Sequence, residues 1–225
     1  MLKLRESNLK HRSILIFDFE TSGLSPLNSQ VIEVGAIKLV KGTDGYVIEH
    51  ELNHLVQCPT PLPEKIKEIT NISDEMLLSE GITEHEAFLK LYELIDEDTL
   101  LIAYNIGFDL GFLDALFKKY IQKYYQITHD ILDVMAVYKD RQKFPHRLES
   151  AVKTYGVMVP NTHRALDDCH ATLESLDKMQ LEKNNIERYV NVIGYNKKYG
   201  APRLKLPHVR YIAQYGGFRE IERLT

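Results

Sequence analysis

Asp18 and Glu20 stand two residues apart at the end of the apolar run Ile14-Leu15-Ile16-Phe17. In an extended strand, residues two apart point to the same face, so these carboxylates would lie side by side. Anions held that close in a partly dry site repel each other unless they share a proton or a cation lies between them. If instead the strand ends at Phe17, both acids are solvated in a turn and carry no chemistry. Acids recur at comparable places further on. Asp109 follows the apolar run Leu100-Leu101-Ile102-Ala103 and Asn105, and Asp168 lies in a late helical stretch. Carboxylates and water are the ligands of hard divalent cations such as Mg²⁺ and Mn²⁺. Four carboxylates could hold two such ions, one activating a water and both stabilising the leaving oxygen of a phosphodiester. His163 precedes Asp168 by five residues and can flank the same site without being a ligand. With an unperturbed pKa of about 6.5, a histidine suits the removal of a proton from the attacking water.

The elements that would position these groups follow from pattern and punctuation. Ile14–Phe17 reads as a short buried strand, Val31–Val40 as a second, and Tyr46–Val56 as a third, turned by Gly42-Thr43-Asp44-Gly45. Three strands joined by short loops make an antiparallel meander. Pro63 suits the first turn of a short helix through Ile69. Thr83 with Glu86 three residues later opens a helix over Ala87–Ile95. Leu100–Asn105 is a fourth strand, followed by a helix to about Tyr124 with Phe108, Phe112, Leu113, Leu116 and Phe117 as its core stripe. Asp130–Asp140 and Arg147–Tyr155 carry two more helical patterns, the latter ended by Gly156. Thr162 or Asn161 can cap the helix that carries Asp168. A meander followed by alternating strand and helix describes an α/β fold with a mixed sheet flanked by helices.

The chain has 225 residues, 44% of them hydrophobic, enough to bury a full core. A formal charge of −4 excludes a global basic field of the kind that binds nucleic acid without regard to site. The two cysteines, Cys58 and Cys169, match no metal-ligand spacing and suggest no disulfide framework, which favours a reducing compartment. No apolar window approaches the roughly 20 residues that span a bilayer. The expectation is a soluble, cytoplasmic protein. Beyond about Asn184 the composition shifts. Between Arg188 and Arg219 lie seven basic residues, interleaved tyrosines, and no Asp or Glu. The expected organisation is a domain over residues 1–183 and a loop-rich basic, aromatic extension over 184–225, able to track phosphates and stack on bases or, equally, to pack back or dock a protein.

Three segments carry a resemblance to a known family. Asp18-Phe19-Glu20-Thr21-Ser22-Gly23-Leu24, Ala103-Tyr104-Asn105-Ile106-Gly107-Phe108-Asp109 and His163-Arg164-Ala165-Leu166-Asp167-Asp168 resemble, in order, the three motifs of the DEDD exonuclease superfamily in its His-containing DEDDh branch. That group includes the proofreading epsilon subunit of bacterial DNA polymerase III and ribonuclease T. The resemblance runs from about Ile14 to Leu181. It implies a ribonuclease H-like fold and 3′→5′ hydrolysis of a nucleic-acid end to nucleoside 5′-monophosphates, with two divalent cations, Mg²⁺ or Mn²⁺. By the same resemblance Asp18 would bridge both ions, Glu20 and Asp168 would bind the ion that activates water, Asp109 would help hold the other, and His163 would be the general base. Thr21 and Leu24 would meet the terminal nucleotide, while Asn105 and Phe108 would line the path of the strand. Tyr104 departs from the histidine found there in many relatives.

Neighbouring groups have plainer readings. Asp167 suits a helix N-terminus electrostatically, Cys169 and His170 suit helix packing, and Glu33, within an apolar strand, suits a structural role better than a metal site. The function expected is a metal-dependent 3′→5′ exonuclease acting on single-stranded or frayed ends, with DNA favoured over RNA, a DNA polymerase as a candidate partner, and no membrane role. The alternatives are an RNA-trimming exoribonuclease and a non-catalytic module that binds nucleic acid or a polymerase.

Overall fold

The computed structural model describes residues 3–158 and 163–224, so the caps expected from Asn161 or Thr162 lie outside the described residues. In chain order the elements are β1 (Lys3–Arg5), β2 (Ser13–Thr21), β3 (Val31–Gly42), β4 (Gly45–Leu55), α1 (Glu64–Thr70), α2 (Asp74–Glu80), α3 (Glu84–Tyr92), β5 (Thr99–Ala103), α4 (Ile106–Tyr120), β6 (Ile131–Asp133), α5 (Val134–Arg141), α6 (Leu148–Tyr155), α7 (Ala165–Glu182), β7 (Val192–Tyr195) and β8 (Arg210–Ala213). Six strands form one mixed sheet in the order β1-β4-β3-β2-β5-β6, with β2, β3 and β4 antiparallel and β2, β5 and β6 parallel.

Alternation along β2 divides the core into two layers. Ile14 and Ile16 pack with Cys169, Leu173, Leu176 and Met179 of α7. Leu15, Phe17 and Phe19 face the other way, against Ile106, Phe112, Leu113 and Phe117 of α4 and Phe88 of α3. The helices therefore cover both faces of the sheet, as the mixed α/β pattern predicts. Local signals worked as expected at α3, where Thr83 accepts from the Glu86 N–H and the Glu86 side chain returns to the Thr83 N–H.

Several boundaries differ from the sequence reading. Ile131–Asp133 is a strand rather than the first turn of a helix, because Ile131 and Leu132 pair with Leu101 and Ile102 of β5. The helix that follows begins at Val134, capped by the Asp133 carboxylate accepting from the Met135 N–H at 3.1 Å. Pro63 occupies the cap of α1 rather than its first turn. The basic N-terminus supplies the edge strand β1, paired with β4.

The C-terminal segment packs back on the core in part, one of the alternatives its composition left open. Ile186, Tyr189 and Val192 are buried in the α7 layer, and Ile193, Leu206 and Val209 in the α4 layer. The strands β7 and β8 form a small parallel sheet. Asp140, fully buried on α5, accepts from the Tyr189 hydroxyl at 3.1 Å, Gln214 Nε2 at 2.9 Å, the Ile221 N–H at 3.0 Å and the Glu222 N–H at 2.9 Å.

Candidate active site

The parallel pairing of β2 with β5 brings their C-terminal ends to one edge of the sheet, where ligand sites of open α/β sheets commonly lie. Asp18 and Glu20 lie inside β2, which continues to Thr21; the alternative of a strand ending at Phe17 is excluded. By the alternation that puts Ile14 and Ile16 against α7, Asp18 and Glu20 point to the α7 side as well. Across the antiparallel ladder Asp18 faces Gly35 and Glu20 faces Glu33. A side chain at position 35 would collide with α7, since a Cβ there would lie 2.3 Å from the Ala165 carbonyl carbon. Glycine at 35 thus lets the first turn of α7, and Asp168 within it, come down onto the strand.

Glu33 fastens that turn. Its fully buried carboxylate accepts from Arg164 Nε at 2.9 Å and Nη2 at 2.7 Å, and from the Ala165 N–H at 3.0 Å. Such a forked pair fixes orientation as well as charge. The sequence reading assigned Glu33 a structural role but missed Arg164 as its partner. His163, the next residue towards the N-terminus, takes a left-handed backbone with φ 55° and is exposed at the mouth of the site.

Three of the expected residues converge closely. Ligand atoms of Glu20, His163 and Asp168 all lie within 4.8 Å of one another. Asp109 arrives from the other layer, in the first turn of α4, buried and accepting the Phe19 N–H at 3.2 Å. The electrostatics are those of crowded anions. Burial pushes the Asp18 carboxyl well above its ordinary range, and Asp168 and Glu33 add repulsion. Burial raises Asp109 too, with Asp18 adding to it. Glu20 is pushed up to about 9 by burial and by the charges of Asp18, Asp168 and Glu33, which Arg164 offsets in part. Acids in this state hold protons until a cation replaces them. Oxygen donors at these positions fit a hard divalent cation, and Cys169, buried against the same acids with its thiol pushed up by burial, is unsuited to be a thiolate ligand.

The residues expected to meet substrate are spread along the same edge. Thr21 is buried and its hydroxyl donates to the Gly23 carbonyl at 2.7 Å, bending the chain so that Leu24 projects, 87% exposed. Asn105 caps α4 with φ 66°, its N–H donating to Asp133 at 3.1 Å, and Phe108 lies half-buried against Phe112. Asp133, which the sequence reading did not single out, thus anchors both Asn105 and the start of α5. Tyr104 has a clear use of its own: its hydroxyl donates to the His146 and Arg147 carbonyls at 3.0 and 3.1 Å. His170 faces Glu51 at 3.2 Å.

The exonuclease family (RNase_T) matches residues 15–176. Among curated proteins the chain is similar to the "DNA polymerase III PolC-type" of Pediococcus pentosaceus, 32% identical over 168 residues covering 73% of this chain and 11% of the relative. The protein of the same description from Clostridium perfringens is 30% identical over 209 residues, 89% of this chain and 14% of the relative. The chain therefore spans well under a fifth of the length of these relatives. Among solved structures, a zinc-bound complex of E. coli ExoI with ssDNA superposes with a TM-score of 0.66 at 19% identity, covering 80% of this chain and 43% of that one. E. coli Exonuclease I in complex with a dA16 oligonucleotide gives a TM-score of 0.64 at 19% identity, covering 76% and 41%. No helix among the described residues is long and apolar enough to cross a membrane.

Proposed function

The chain belongs to the exonuclease family, and on that premise we propose that it removes nucleoside 5′-monophosphates from the 3′ end of single-stranded or frayed DNA. The observation that carries this reading is the meeting of Glu20, His163 and Asp168 within 4.8 Å, beside Asp18 and Asp109, at the C-terminal ends of parallel strands. A protein that only bound nucleic acid would gain nothing from burying acids that repel one another and the phosphates.

In this reading Asp18, Glu20, Asp109 and Asp168 hold two divalent cations, Mg²⁺ or Mn²⁺. When bound, these ions supply charge stabilisation for the phosphodiester and a more acidic attacking water. The protein's own groups do the rest. His163, exposed at the mouth, accepts the proton of the water as its oxygen bonds to phosphorus. The bond from phosphorus to the 3′ oxygen breaks, and that oxygen takes a proton from solvent. The Glu33–Arg164 pair and the Ala165 N–H hold the backbone that orients His163 and Asp168. Leu24, projecting from the turn that Thr21 closes, meets the terminal nucleotide, and Asn105 and Phe108 line the path of the strand. Unpairing a duplex end costs a few kcal/mol, so mismatched ends are preferred.

The preference for DNA and an association with a DNA polymerase are supported by the description of the PolC-type relatives and by the oligonucleotide complexes of the structural neighbours. The test is degradation of matched 3′- and 5′-labelled DNA and RNA oligonucleotides with Mg²⁺, with Mn²⁺ and with chelator, beside Asp18→Ala. Metal-dependent shortening from the 3′ end, faster on DNA and lost in the variant, is the expected result. Absence of shortening with either ion would overturn the reading.

A further inference from the structure

Two grooves flank the start of α4, and the C-terminal segment builds a wall of each. The first, of about 610 Å³, runs from Leu24 and Pro26 past Phe108 to Pro202 and Arg203. The second, of about 400 Å³, continues past Phe108, Pro202 and Arg203 to Tyr199 and Lys139. The two share Gly107, Phe108, Pro202 and Arg203, and so form one track. Close packing holds the wall: a Cβ at position 107 would lie 2.6 Å from Pro202 Cγ, so glycine there lets the segment seat directly on α4. Phe108, where the two grooves join, is next in the chain to Asp109 on the first turn of α4.

Its lining is cationic and aromatic. Lys139 is only 8% exposed, yet its ammonium, with three donors, is held within the protein by one carbonyl, that of Gly194 at 3.3 Å. Asp133 is the acid nearest it in effect, and that carboxylate is already engaged by the N–H groups of Asn105 and Met135. Arg203 is exposed and forms no ion pair among the described residues, and Tyr199 is 79% exposed. The one acid on the rim, Asp114, is paired with Lys118 at 2.7 Å. A largely exposed tyrosine ring, with the Lys198 ammonium 5.4 Å from its centroid, beside two cations that form no ion pair among the described residues suits a base and a phosphate, and the absence of acids from 188 to 219 suits a polyanion.

We propose that this track binds the nucleotides upstream of the scissile bond, with phosphates at Lys139 and Arg203 and bases stacked on Phe108 and Tyr199. The inference rests on the reading of a strand end as substrate. Through this track the C-terminal segment holds long single strands more tightly than short ones.

The test compares binding of 5′-fluorescent dT12 and dT3 in chelator, at 50 and 200 mM salt, by the protein, by Y199A/R203A and by K139Q. Tyr199 and Arg203 are exposed, so their replacement spares the packing; Lys139→Gln keeps length while removing charge. The expected result is that the preference for dT12 over dT3 falls about tenfold in Y199A/R203A, and that the salt slope for dT12 falls by about 0.7 for each lost phosphate contact. K139Q lowers both as well. A preference and slope equal to those of the parent protein in both variants would overturn the proposal. Shortening of dT12 on adding Mn²⁺ to the parent protein is read separately. If it occurs while the length preference is unaltered, the track is wrong and the exonuclease reading stands. If it fails while the preference falls, the track stands as a strand-binding site without hydrolysis.

Discussion

At the C-terminal edge of β2 and β5, Asp18, Glu20 and Asp109 sit among like charges; the Phe19 N–H is the donor that reaches Asp109 from another residue. Beneath the C-terminal segment, Asp140 is more deeply buried and yet is ringed by a hydroxyl, a side-chain amide and two backbone N–H groups. Both regions bury carboxylates, at a cost that four donors offset around Asp140 and that like charges add to around Asp18 and Glu20. A satisfied carboxylate is architecture. Carboxylates crowded among like charges suit a cation, and their energetic cost is borne by the sheet and helices packed around them.

The contrast is sharpest at Asp18. Asp18→Ala should lower exonuclease rate by about 10³-fold or more, since loss of cation-assisted charge stabilisation is worth several kcal/mol. The same variant, without metal, should melt no lower than the parent, because it removes repulsion. A lower melting temperature would show that Asp18 is structural, like Asp140. His163→Ala should cost about 10²-fold in rate, within the range of general-base removal, while leaving oligonucleotide affinity in place. A rate like that of the parent would remove His163 from the reaction.

Asp140→Ala should behave oppositely. It strands donors beneath the C-terminal segment and should cost about 3 kcal/mol in urea unfolding, with the apparent affinity for Mn²⁺ unaltered. A cost near zero would mean that the segment is held by its apolar contacts alone.

A further effect is in pH dependence. Native Glu20 keeps its proton up to about pH 9, whereas an unfolded glutamate releases it near about 4.5, so over that window the native state binds more protons and stability declines as pH rises. Glu20→Gln should flatten that decline in chelator. Saturating Mg²⁺ should restore the parent's stability at neutral pH, by about 2.7 kcal/mol at one hundred times the dissociation constant. An equal slope in parent and variant would mean that Glu20 is already ionised without metal.

Much of the site was legible along the chain because its signals are local. Two carboxylates at a spacing of two in an apolar run, an acid one turn into a helix after a strand, and His163 five residues before Asp168 were enough to anticipate the acids and the histidine that lie at this edge of the sheet. The Thr83 and Glu86 cap was equally local. Ile131–Asp133 misled because three apolar-to-acid residues fit a helix start as well as a strand, and only pairing with β5 decides.

What the sequence by itself determined is thus the class of fold, the order of the motifs and the kinds of ligand they offer, since these depend on side-chain period and spacing. The tertiary structure alone decided that Glu33 grips Arg164 across 131 positions, that Asp140 binds Ile221 across 81, and that Tyr199, Arg203 and Lys139 line one groove with Phe108. Contacts of that span leave no periodic trace in the residues that make them, because each depends on where the packed sheet and helices happen to bring two distant parts of the chain together.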